Sequence, residues 1–279
     1  MSRIEWTIVL LLGLAWIPGL IALSKVWSSL EYASHGYLVP FVALWAATAH
    51  RERLSELDSK PMRGGLLLVG ALAPLYVAAV VFANATLIGV VAVVTVVAVV
   101  LALRGVEWAK VLRFPLGYLL FMIPLPVAWV TPLIVKLQLW VSSAAVLMLQ
   151  GWGISIYREG NVLTLPGDIS LFVAEACSGI TSLITLLPIG VFIAYFTDSV
   201  TWRRIVIVLA VIPIALAGNL LRVILTVLMS MEVSVEFATE GPLHEWAGVL
   251  TYGVGCLALL AVGNLLRRFT RDADLLRPA

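Results

Sequence analysis

Long apolar runs alternate with short polar or basic connections along most of this chain. Eight runs read as membrane-crossing helices: residues 6–23, 35–50, 66–81, 86–103, 114–130, 177–196, 205–229 and 245–266. The uncharged stretch 64–103 alone is long enough for two crossings at about 20 residues each. Pro124 and Pro126 interrupt the fifth run. The segment 133–150 reads differently. Lys136, Ser143 and Gln150 recur every seven residues, and a polar stripe of that kind suits an amphipathic helix lying at the membrane interface. Residues 151–170 form the longest polar connection, and Val162-Leu-Thr-Leu-Pro-Gly167 predicts short strand and turn pieces. No internal repeat or low-complexity segment is visible.

Composition agrees with this pattern. The 279 residues are 62% apolar and 12% charged, against about 25% charged in soluble domains. The fold class expected is an all-α polytopic integral membrane protein with about eight transmembrane helices, one interfacial helix and small polar outer loops. It reads as a single integral-membrane domain over 1–279, with a core at 30–268. The first run lacks a convincing cleavage site and reads as an uncleaved anchor. Two cysteines make no disulfide framework, and Cys256, inside an apolar run, reads as packing.

Charge then sets an expected orientation. With the N-terminus inside and eight alternating spans, the inside segments hold all of the 18 Lys and Arg except Lys25, Lys136, Arg158 and Arg222. A crossing at 133–150 would instead put Arg203, Arg204 and the C-terminal arginines outside, so the charge bias favours the interfacial reading. Both termini are then cytoplasmic.

Three polar groups fall in the outer half under that scheme. Cys177 sits where a polar segment gives way to an apolar run, and Ser178-Gly179 reads as a helix start. A helix N-terminus favours a thiolate. Arg222 lies within the seventh run, where a charge costs a few kcal/mol and is a functional candidate by default, with snorkelling as the plain alternative. His244 immediately precedes the eighth run. A thiol, an imidazole and a cation at one depth are the parts of a cysteine-dependent acyl-transfer site: nucleophile, proton carrier and oxyanion stabiliser. The catalytic part of the chain would be 173–268. Asn219 shares the face of Arg222 at i, i+3 and reads as a supporting or packing residue. Glu175 reads either as a cap of the helix start or as an orienter of His244. No His or Cys pair has ligand spacing, so no metal and no cofactor is expected.

The residues carry a family resemblance. Ala174-Glu-Ala-Cys-Ser-Gly-Ile180, Asn219-Leu-Leu-Arg222-Val and His244-Glu-Trp-Ala-Gly248 resemble the exosortase/archaeosortase family. Ser34-His-Gly-Tyr-Leu-Val-Pro40, Phe121-Met-Ile-Pro-Leu-Pro126 and Arg158-Glu-Gly-Asn161 fit its bacterial exosortase branch, and the resemblance extends over about residues 30–268. It implies a bacterial inner-membrane protease or transpeptidase. Its partners would be exported proteins that end in a Pro-Glu-Pro-like motif, a transmembrane helix and a basic tail. It also implies an association with exopolysaccharide systems, membrane lipids as surroundings, and a possible lipid or glycan acceptor. Nucleic acid is not implied. The resemblance carries the family's nucleophile onto Cys177, its arginine onto Arg222 and its histidine onto His244. Two other readings remain: a transporter or lipid-handling protein in which Arg222 binds an anionic group, and a non-catalytic component of polysaccharide export.

Overall fold

The computed structural model describes residues 3–167, 169–172, 179–240 and 242–275; the side chains of 4, 240, 242–247 and 271–275 fall outside the description. Glu175, Cys177 and Ser178 are not among the described residues. The chain forms two compact units, Met1–Pro126 and Val127–Ala279.

The first unit opens with helices α1 (Arg3–Ala15) and α2 (Ile17–Ser29), bent by 51° about Trp16. The bend has a visible cause. In a straight helix Gly19 N–H would donate to the Ala15 carbonyl. Here the Tyr76 hydroxyl stands between them, donating to Ala15 O at 2.9 Å and accepting from Gly19 N at 3.0 Å. A 3-10 segment, Glu31–Tyr37, leads into α3 (Val39–Thr48), and α4 (Arg51–Ser55) follows. The predicted run 35–50 is therefore two short pieces, neither long enough alone to cross a bilayer. Helices α5 (Arg63–Val81) and α6 (Ala85–Leu103) form an antiparallel pair. Asn84 caps α6 by accepting from Leu87 N at 2.9 Å. Arg104 then closes the unit's other end by donating two hydrogen bonds to the Glu5 carboxylate, at 3.0 and 3.3 Å.

Short helices α7 (Val106–Val111) and α8 (Arg113–Tyr118) and a 3-10 turn, Leu119–Met122, follow. The fifth predicted run is thus not one helix. Pro124 and Pro126 lack N–H groups, which leaves the carbonyls four residues earlier without helical donors. Side chains from elsewhere serve the exposed backbone instead. His35 Nε2 meets Phe121 O at 3.0 Å, and Trp27 Nε1 donates to Met122 O at 3.1 Å. Thr86 Oγ1 donates to Pro124 O at 2.7 Å, and the Tyr32 hydroxyl to Leu125 O at 3.3 Å. Gly36 lies directly against the Trp27 indole, where a Cβ would collide with Nε1. The two motifs around residues 34–40 and 121–126 are therefore halves of one hydrogen-bonded lock.

In the second unit α9 runs unbroken from Val127 to Gly151. No break separates 130 from 133, and the 25-residue helix is long and apolar enough to cross a membrane. Lys136 and Gln150 are both exposed, as the predicted stripe requires, and Gln150 also donates to Ile156 O at 2.8 Å. Buried Gln138 accepts from Asn161 Nδ2 at 2.8 Å. Both glutamines hold the strands that follow. The strand prediction at 162–167 is realised as a three-stranded antiparallel sheet, β1 (Tyr157–Glu159), β2 (Val162–Leu165) and β3 (Ile169–Phe172). Gly160 and Gly167, at φ 59° and 83°, make its turns. Leu163, Leu165 and Leu171 pack with Val141, Leu149, Val223 and Val227 in one apolar core.

Three long helices complete the unit: α10 (Ile180–Thr197), α11 (Thr201–Glu232) and, after the short α12 (Val235–Glu240), α13 (Pro242–Leu275). They pack on one another through Leu186, Ala194, Ile207, Val211, Ala215 and Leu259. Gly190 lets α10 and α11 approach, because a Cβ there would strike Val211. Arginines tie the far end. Arg204 donates to Asp198 O and Tyr195 O at 2.6 and 3.1 Å, and Arg267 to Thr197 O at 2.6 Å. Cations thus satisfy the last carbonyls of α10, where the helix dipole favours them. Among the described residues, six helices can cross a membrane by length and composition, or seven with the bent α1–α2 pair. The protein is an all-α polytopic membrane protein, with a small sheet as its one β element among those residues.

Candidate active site

The N-terminus of α10 is set by Gly179. Its φ of 81° lies in the left-handed region that costs other residues energy, and its carbonyl accepts the first helical bond from Leu183 N at 2.9 Å. A helix start at Ser178-Gly179 is what the sequence predicts, and the helix begins at Ile180, three residues later than the predicted run. Gly179 has a second constraint. A Cβ on it would come within 3.3 Å of Asn219 Nδ2 on α11. Asn219 is 0% exposed, so its amide cannot swing away.

Arg222 lies one turn further along α11, ten residues before the helix ends at Glu232, or about 15 Å at 1.5 Å per residue. It is half-buried, and its Nε atom is buried. The guanidinium turns sideways onto α13: a Cβ on Gly248 would sit 3.8 Å from Nη2 and 4.0 Å from Cζ. Gly248 is one helical turn beyond His244. His244 is the third residue of α13 and not a residue preceding it, because the helix starts at Pro242. Its side chain is outside the description, as are Glu175, Cys177 and Ser178 entirely.

One face of α11 therefore touches both neighbouring segments. Asn219 lies close to Gly179, two positions after Cys177, and Arg222 close to Gly248, four positions after His244, near enough that a Cβ on either glycine would be in contact. Close packing permits this, since a Cβ on Gly218 would lie 2.9 Å from Thr251 Cγ2 on α13.

Beside Arg222 a cavity of about 510 Å³ opens between α10, α11, α12 and α13. Its walls are mainly Leu, Ala and Gly, and Arg222 is the one charged residue among its described lining. Ser182 also lines it, only 4% exposed. Thr181 is buried beside it in the chain. In the sequence these two hydroxyls form a polar pair set inside an apolar run shortly after Gly179.

The sequence profile of the transmembrane exosortases matches residues 27–261. The chain belongs to the transmembrane exosortase family. No curated protein and no solved structure matches it. The matched range takes in every motif on which the resemblance rested, including both halves of the proline lock and the segments around Gly179, Arg222 and Gly248.

Proposed function

We propose that this exosortase-family protein is a membrane-embedded cysteine protease or transpeptidase. It would cleave the C-terminal sorting signal of exported proteins, a Pro-Glu-Pro-like motif with a transmembrane helix and basic tail. Cys177, Arg222 and His244 would carry the reaction on the outer face of the inner membrane, with both termini cytoplasmic. The observation that supports this best is the close approach of α11 to both segments, Asn219 to Gly179 and Arg222 to Gly248. Cys177 precedes Gly179 by only two residues in the sequence, which supports grouping it with Asn219 and Arg222. The mostly apolar cavity along α11 and α13 supports lateral entry of a substrate's membrane helix.

In this mechanism the Cys177 thiolate attacks the scissile carbonyl. Arg222 stabilises the developing oxyanion. The C–N bond breaks as His244 gives a proton to the leaving amine, and a thioester remains on Cys177. Water, or an amine or hydroxyl of a lipid or glycan acceptor, then attacks the thioester and returns the thiol. Asn219, packed beside Gly179, would support the segment that carries the nucleophile.

Co-expression tests the proposal. A tagged protein carrying the tripartite tail is expressed with the wild-type chain or with Cys177→Ala, and tail loss is followed by gel shift and mass spectrometry. Loss with wild type alone is expected, and the mass of the new C-terminus separates hydrolysis from transfer. Intact substrate in both strains refutes the mechanism. The cavity beside Arg222 favours a second reading, binding of an anionic lipid group by a transporter or export component. On that reading Arg222→Ala abolishes function and Cys177→Ala does not.

A further inference from the structure

The two edges of the small sheet are unlike. Strand order β1-β2-β3 makes β1 and β3 the edges. β1, Tyr157-Arg-Glu159, carries two charges, the usual guard against unwanted strand pairing. β3, Ile169-Ser-Leu-Phe172, carries none. Its register with β2 pairs Leu165 with Ile169 and Val162 with Phe172. Leu171 points into the core at 3% exposure, whereas Ser170 and Phe172 point outward, Phe172 at 62%. In an antiparallel strand every second residue directs its N–H and C=O away from its partner. Among the described residues nothing hydrogen-bonds to that side of β3. Such an edge is not tolerated in hydrocarbon, so it belongs to the aqueous side or to another strand.

β3 is also the edge that leads to the candidate nucleophile. Cys177 follows Phe172 by five residues, at most about 17 Å of chain. We propose that the outer edge of β3, unpaired among the described residues, binds the substrate segment next to the scissile bond in extended form, as a fourth strand of the sheet. This rests on the cysteine-protease reading above. Four residues of edge accept a segment of comparable length, held through main-chain bonds and therefore tolerant of side-chain identity. Selectivity would come from the position beside Phe172, which favours an apolar or ring-shaped side chain.

Disulfide mapping on the full-length chain tests this. Ser170→Cys and Phe172→Cys are each placed in a Cys177→Ala protein, alongside the same protein without the added cysteine to account for Cys256. Each is co-expressed with tailed substrates bearing one cysteine walked through six positions around the cleavage point, and membranes are oxidised with copper phenanthroline. The expected result is cross-linking confined to substrate positions of one parity, with the preferred position moving by two between residues 170 and 172. Equal cross-linking at all positions, or none, overturns strand addition. Cross-linking of two copies through residue 170 that substrate does not displace overturns it in favour of self-pairing. Parity without any cleavage by the wild-type protein instead refutes the protease reading and leaves the edge as a peptide-binding site.

Discussion

Gly179→Ala tests the packing on which the candidate site depends. Two costs are expected. The backbone is at φ 81°, and holding an L residue there costs roughly 1–2 kcal/mol. The new methyl would also lie 3.3 Å from Asn219 Nδ2 and 3.4 Å from its Cγ, so that side chain must yield by a few tenths of an ångström while fully buried. The assay is thermal unfolding in detergent with a thiol-reactive dye, using Cys256 as the reporting thiol in a Cys177→Ala background. A lower midpoint is expected. In the Cys177 protein, processing should fall well beyond the unfolded fraction, because about 1 Å of misplacement near reacting atoms can cost on the order of 100-fold. A double-mutant cycle with Asn219→Ala separates the two costs: the packing share disappears in that background and the backbone share stays. An unchanged midpoint and unchanged processing for Gly179→Ala would refute both the left-handed cap and its contact with α11.

Three further outcomes are expected. Trp27→Phe removes the donor to Met122 O and should cost about 1–3 kcal/mol in the same melt, while Trp6→Phe, at a 61% exposed position, changes nothing. Arg267→Ala removes the bonds to Thr197 O and Asn264 and should cost about 1–2 kcal/mol, discounted for its partial exposure, with Arg267→Lys recovering part of it. For α9, we expect cysteines at both Lys136 and Gln150 to react with an impermeant maleimide from outside, as an interfacial helix requires; labelling of only one from that side would mean that α9 crosses.

Much of this was legible from local pattern. The runs at 66–81, 86–103 and 205–229, the strand pieces near 162–167 and a helix starting after Ser178 all follow from hydropathy and turn chemistry, which act over a few residues. What was not legible depends on distant partners. The bend at Trp16 exists because Tyr76 reaches across from another helix. The break at 123–126 was signalled by its prolines, but not that Trp27, Tyr32, His35 and Thr86 would satisfy it. Gln150 is exposed as the polar stripe predicts, but nothing local signals that its amide also holds the connection at Ile156. In the candidate site Arg222 and Asn219 stood out as polar groups in an apolar run, whereas the roles of Gly179 and Gly248 as the surfaces they touch required the packed helices.

The length of α11 has its own consequence. Its 32 residues extend about 48 Å, while the hydrocarbon layer is about 30 Å thick. The helix must tilt or project, and either choice answers to the lipid around it. Because Asn219 and Arg222 ride on this one rod, a thicker or thinner bilayer raises or lowers both together without altering their separation. Acyl-chain length in reconstituted vesicles thereby becomes a dial on how deep below the water line Arg222 sits, with its neighbours on α11 carried along unchanged.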